Sequence, residues 1–174
     1  MVPFKEQLRE FLGDCEEKKI AVLGIGSQIR GDDAVGLEIV GRLEEYPLRD
    51  VLLLKTETVP ESFTGVLRKF NPTHILMIDA AHIGEEPGEA RIIPTQMICD
   101  VCVSTHKLPL TVLANYLTGT LGSKVTLVGI QPRSIAFGTS ITGELKAAAT
   151  KIAATIYEAI SQKSCEESDV DNSE

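Results

Sequence analysis

The chain has 174 residues, 43% of them hydrophobic, which suits one compact core and leaves no room for a second domain of ordinary size. A net charge of -8, only 5% aromatic residues and no Trp exclude the basic footprint and the stacking platforms of a nucleic-acid binder. No stretch approaches the ~20 apolar residues of a membrane span and the first residues lack a basic start followed by an apolar run, so a cytoplasmic protein without membrane insertion is expected.

Phe4, Leu8, Phe11, Leu12 and Cys15 follow Pro3 at helical spacing and predict a first helix ended by Gly13 or by the Glu-Glu-Lys-Lys run. Ile20 to Ile25 is a short unalternating apolar run, the pattern of a parallel strand covered on both faces. Gly36, Ile39, Val40 and Leu43 mark a helix face, and Val51 to Leu54 a second strand. Phe63, Val66, Leu67 and Phe70 repeat the helical spacing before a third strand, Thr73 to Ala80.

Gly88 to Ile93 reads as a shorter strand after a Gly-Glu-Glu-Pro-Gly turn, with an antiparallel edge as one option. Pro94 to Thr105 is the longest irregular stretch expected inside the core region. Pro109 then opens a helix carrying Leu110, Leu113 and Leu117, Lys124 to Ile130 gives the last strand, and Leu145, Ala149, Ile152, Ile156 and Ile160 line a final helix. Strands alternating with helices imply a three-layer α/β/α sandwich around a mostly parallel sheet of about five strands, mixed if the edge strand runs antiparallel. That domain is expected over residues 1–162, with residues 163–174, acidic and nearly without apolar side chains, as a disordered tail.

Chemistry concentrates in three places. Gly24 to Gly36, GIGSQIRGDDAVG, lies between the first strand and its helix, so Asp33 either caps that helix or faces a ligand. The spacing misses the dinucleotide and Walker patterns, and paired aspartates repel phosphate. Asp79 ends the third strand, where open α/β sheets bind ligands beyond the carboxyl ends of their strands.

Among the three histidines, His106 stands just before a helix, His82 lies in a loop close to Asp79, and His74 starts a strand, where solvent or a backbone carbonyl is its expected partner. Two carboxylates and an imidazole are a workable donor set for a divalent transition metal with open positions. Cys99 and Cys102 have C-x-x-C spacing, but no second pair completes a zinc site. Packing or chance is therefore the preferred reading, and all four cysteines, Cys15 and Cys165 included, are expected as reduced thiols.

Taken together and in order, GIGSQIRGDDAVG, a strand ending MIDA, STHKLPL and TLVGIQP resemble the nickel-iron hydrogenase maturation endopeptidases over roughly Ile20 to Ile160. PGEARII, THKLPL and GIQP look most like the branch serving hydrogenase 3. The resemblance implies an aspartic-type endopeptidase that removes the C-terminal extension of the hydrogenase large-subunit precursor once nickel is inserted. Nickel is then supplied by the precursor as the recognition element, and no organic cofactor is needed.

Carried over by position, the catalytic and metal-binding residues fall on Asp33, Asp79 and His106, and Gly26, Gly31, Asp32 and Gly36 are expected to contact substrate. Ser27 stands where the family commonly has Asn, and Lys55-Thr56-Glu57 where it has Asp-Gly-Gly. That second departure motivates a rival reading as a non-catalytic chaperone docking the nickel-loaded precursor. An unrelated phosphate-binding α/β protein is the other.

Overall fold

The computed structural model describes residues 2–13, 17–101 and 109–161. The parallel strands β1 (Ile20–Ile25), β2 (Val51–Glu57), β3 (His74–Ala80) and β5 (Lys124–Ile130) and the antiparallel edge strand β4 (Ala90–Ile93) form a sheet of order β2-β1-β3-β5-β4. The mixed sheet and its antiparallel edge agree with the expectation from sequence. β1, β3 and most of β5 are buried throughout, as uninterrupted apolar runs require when helices cover both faces.

Strand alternation divides the core. Ile20 and Val22 of β1, Leu76, Ile78 and Ala80 of β3, and Val128 and Ile130 of β5 face one layer. That layer is α1 (Phe4–Leu12), α2 (Val35–Leu43) and α6 (Gly143–Ser161). Ala21, Leu23 and Ile25, Ile75 and Met77, and Val125 and Leu127 face the other, formed by α3 (Thr64–Phe70), the single-turn α4 (Ile98–Val101) and α5 (Leu110–Leu121). Asp79 shares the parity of Ile75 and Met77, so it belongs to the α5 side.

Several boundaries differ from the sequence reading for local reasons. α1 stops at Gly13, the first of the two ends expected, whose φ of 59° a side chain would resist, and so ends before Cys15, which lies outside the described residues. β2 continues past Leu54 because Thr56 turns inward and its hydroxyl donates to the Gly24 carbonyl at 3.1 Å beside a β-bulge. Pro94 to Thr105 is not wholly irregular: Thr95–Met97 form a 3₁₀ turn that leads into α4, where Ile98 is buried. His74 does not meet solvent or a carbonyl. It is buried with Nδ1 2.8 Å from the Thr73 hydroxyl and the Phe11 ring edge-on at 5.6 Å. The acidic tail from 163 to 174 lies outside the described residues.

Candidate active site at the carboxyl edge of the sheet

β1 ends at Ile25, and the chain turns through Gly26 into a 3₁₀ turn, Gly31–Ala34, that runs directly into α2. Two glycines fix this geometry by absence of a side chain. Gly26 has φ 134°, and a Cβ there would lie 1.7 Å from the Asp33 carbonyl oxygen. A Cβ on Gly36 would lie 2.2 Å from the Ile78 carbonyl oxygen and 2.5 Å from that of Ile25. The first turn of α2 therefore presses on β1 and β3 immediately beside Asp79, and the 3₁₀ turn bearing Asp33 packs against β3. Segments far apart in sequence meet at this edge.

Asp33 is only 3% exposed, and its Oδ2 accepts the Ser27 N–H at 2.9 Å. That bond runs back into the loop and not forward into the helix, and α2 begins at Val35 with Ala34 at its N-cap and no side-chain cap. Capping alone does not account for Asp33, although its charge sits favourably at the positive end of α2. Asp79 is fully buried with Oδ1 accepting the Ala80 N–H at 2.9 Å. Burying two carboxylates costs free energy unless each is bonded or serves a ligand.

Asp32 has a different task. Fully buried, its Oδ2 accepts N–H bonds from Arg133 at 2.9 Å and Ser134 at 3.1 Å, and its Oδ1 accepts one from Thr142 at 2.8 Å. Gly31 donates its N–H to the Thr139 carbonyl at 2.9 Å. The loop after β5 is thus tied to the loop after β1. Gln131 Oε1 ties it also to the turn beyond β3 by accepting the Ile83 and Gly84 N–H groups. Sequence spacing gave no sign of the Asp32 clasp or of Gln131, since both depend on partners distant along the chain.

His106 lies outside the described residues, and among those described no group of three His, Cys, Asp or Glu side chains is arranged to hold a metal ion. His82 is exposed and donates its backbone N–H to the Val101 carbonyl at 2.8 Å. His74 is at the opposite end of β3. Cys99 is exposed with Sγ 2.9 Å from the Thr111 hydroxyl, while Cys102, Cys15 and Cys165 lie outside the described residues. A cleft of about 360 Å³ opens between α1, β4 and α6, lined by Phe4, Ala90, Lys151 and Ile152 among others, and touches neither Asp33 nor Asp79. Among the described residues no helix is long and apolar enough to cross a membrane.

Fold and site together define a three-layer α/β protein with buried carboxylates from two separate segments at the carboxyl edge of its sheet. The family model described as HycI, hydrogenase maturation protease, matches residues 37–159, a span that contains Asp79 and His106 and begins just after the Asp33 loop. The hydrogenase 3 maturation protease of Escherichia coli K12 is 30% identical over 126 residues, 72% of this chain and 80% of that one. A Methanocaldococcus jannaschii protein named provisionally as a hydrogenase maturation protease is 36% identical over 166 residues, 91% of this chain and 96% of that one. The crystal structure of a nickel-iron hydrogenase maturation protease, HycI, from Thermococcus kodakarensis matches with a TM-score of 0.80 and 34% identity, covering 89% of this chain and 99% of that one. This chain belongs to the hydrogenase maturation protease family.

Proposed function

We propose that this chain is a cytoplasmic endopeptidase that removes the C-terminal extension of a nickel-iron hydrogenase large-subunit precursor after nickel insertion, with Asp33, Asp79 and His106 as the residues that meet the nickel. The observation that carries the reading is the packing of Gly36 on Ile78, which sets buried Asp33 and Asp79 at one edge of the sheet in a member of this protease family. Nickel is part of the substrate here: precursor cysteine thiolates hold it, and the two carboxylates and one imidazole complete its shell. Such a donor set suits a divalent transition ion with positions shared between two proteins.

Support for the inclusion of His106 comes from the flanks of its segment. Val101 is tied to His82 just beyond β3, and Pro109 opens α5, whose Leu110, Leu113 and Leu117 pack on the same face of the sheet as Asp79. α5 runs into β5, so its first turn lies at the carboxyl edge of that parallel sheet. The buried Gly26, Gly31 and Gly36 act through the chain's own close packing, against Asp33, Ser134 and Ile78, and so shape the loop that meets the precursor. Asp32 supports it indirectly, by holding the loop after β5.

Coordination in this way makes cleavage depend on successful nickel insertion, because a nickel-free precursor lacks its main anchor. Hydrolysis needs an activated water at the scissile carbonyl, and a carboxylate excluded from bulk solvent is a suitable base for it. Membership of the protease family removes the unrelated phosphate-binding reading.

The deciding experiment incubates the purified chain with nickel-loaded and nickel-free precursor and weighs the large subunit by intact mass. Loss of the C-terminal peptide in the loaded sample alone is expected. Tight binding without loss of mass would establish a docking chaperone in place of an enzyme. Asp33→Ala, Asp79→Ala and His106→Ala should each slow processing by at least ~100-fold, the scale of several kcal/mol of lost transition-state stabilisation. A variant that processes at the unsubstituted rate removes its residue from the site.

A further inference from the structure

Beside Asp33 the rim of the sheet is built from two loops joined backbone to backbone. Gly31 N–H donates to the Thr139 carbonyl at 2.9 Å, Asp32 N–H to the Ser134 carbonyl at 2.9 Å, and Gly138 N–H to the Ile29 carbonyl at 2.7 Å. The turn carrying Phe137 is itself held, with the Thr139 hydroxyl donating to the Ala136 carbonyl at 2.6 Å and Gly138 at φ 77°. On this fixed frame Ile29 is 57% exposed and Phe137 76% exposed. Phe137 is the most exposed large apolar side chain among the described residues, in a protein with only five phenylalanines.

A single exposed apolar residue calls for no explanation. Two on adjoining, hydrogen-bonded loops next to a buried carboxylate form a surface that burial would favour. The same loops carry Arg30, which has no ion pair among the described residues, and Arg133, exposed and paired with Glu144. Glu144, Glu86 and the buried Asp32 and Asp33 offset these two cations locally, so apolar side chains and not net charge distinguish the rim. Its complement is a peptide segment with an apolar side chain.

We propose that Ile29 and Phe137 form the subsite that grips an apolar side chain of the precursor's C-terminal extension. This rests on the proposed function and names the part of the substrate that the Asp33 loop meets. Continuity argues for that occupant: Asp33 accepts the Ser27 N–H, so Ile29 lies on a loop whose base is bonded to the candidate site. Nickel recognition and extension recognition are then separate, the first governed by the acidic residues and imidazole, the second by this rim.

The test measures kcat and KM for nickel-loaded precursor bearing its native extension and for one whose extension has its apolar residues replaced by serine. Phe137→Ala and Ile29→Ala should each raise KM for the native extension about tenfold with kcat within about twofold, as loss of a contact made equally in ground and transition states requires. Phe137→Leu should restore most of the affinity. With the serine extension, Phe137→Ala should add little further, a coupling read from the double-mutant cycle. An unchanged KM in both alanine variants, or fully additive effects in the cycle, overturns the subsite. No cleavage by the unsubstituted chain removes the proposed function and the subsite together, whereas cleavage with KM insensitive to Phe137 and Ile29 removes the subsite alone.

Discussion

Asp32 Oδ1 accepts the Thr142 N–H at 2.8 Å while its Oδ2 holds Arg133 and Ser134, so one buried carboxylate fastens the whole loop between β5 and α6. Its neighbour Asp33 bonds locally, to Ser27. Adjacent aspartates of identical chemistry therefore divide into one that holds the loop after β5 and one that bonds within the loop after β1. Asp32→Ala removes the acceptor of three part-buried backbone hydrogen bonds and is expected to cost about 2–4 kcal/mol in urea unfolding. Asp33→Ala should cost less stability yet more processing, and the reverse order in the two assays would refute the division of labour.

How much of this was legible beforehand follows from range. β1, β3 and β5 were readable because strands buried on both faces need uninterrupted apolar residues, a signal carried within a few positions. The antiparallel edge followed from the turn before Ala90. The extension of β2 through Glu57 was hidden, since Lys55-Thr56-Glu57 carries no apolar signal and is drawn into the sheet by pairing with Gly24 and Ile25. Burial of His74 was hidden for a related reason: its cover comes from Phe11, far back in the chain. At the candidate site, residue types drew attention to Asp32, Asp33 and Asp79 alike, and only packing separated the loop-holding bonds of Asp32 from the other two.

Gly36 supplies a second prediction because its lack of a side chain sets how near α2 comes to β1 and β3. Any Cβ there meets backbone oxygens of Ile78 and Ile25, atoms that cannot rotate away. Gly36→Ala is expected to destabilise by about 1–3 kcal/mol as the helix is pushed outward. Processing should fall further than that loss explains, since the same displacement moves Asp33 relative to Asp79. Comparing cleavage at a temperature where the variant is fully folded separates the two effects.

His74 makes stability pH-dependent at the far end of the sheet. Burial lowers its pKa below the ordinary histidine value, with the charges of Lys124 and Lys18 adding to the effect, and Nε2 is buried with no hydrogen-bond partner among the described residues. The native state therefore holds the neutral ring while the unfolded chain protonates near the ordinary value of about 6.5. More protons bind to the unfolded state in that window, so this contribution is present above pH about 6.5 and is lost as pH falls towards the lowered native pKa. Urea midpoints measured from pH 7.5 down to about 5.5 should fall for the unsubstituted chain and fall less for His74→Phe. Parallel profiles would rule out His74 as the source.

Glu57 carries the last prediction, at the end of the Lys55-Thr56-Glu57 segment that extends β2. The residue sits at φ 52°, in the left-handed region, directly after the bulge that aligns β2 with β1, and its carbonyl accepts the Gly26 N–H at 3.0 Å. A glutamate there costs about 1 kcal/mol relative to glycine, because Cβ crowds its own carbonyl. Its side chain is exposed, so little packing offsets that cost. Glu57→Gly relieves the strain in the native state but frees the unfolded chain, which returns part of the gain. The net expectation is a stability increase between zero and about 1 kcal/mol, with the Gly26 turn and processing retained. A loss of more than about 1 kcal/mol on chemical denaturation would mean that the side chain makes a stabilising contact, and that the bulge tolerates glutamate for a reason other than backbone geometry.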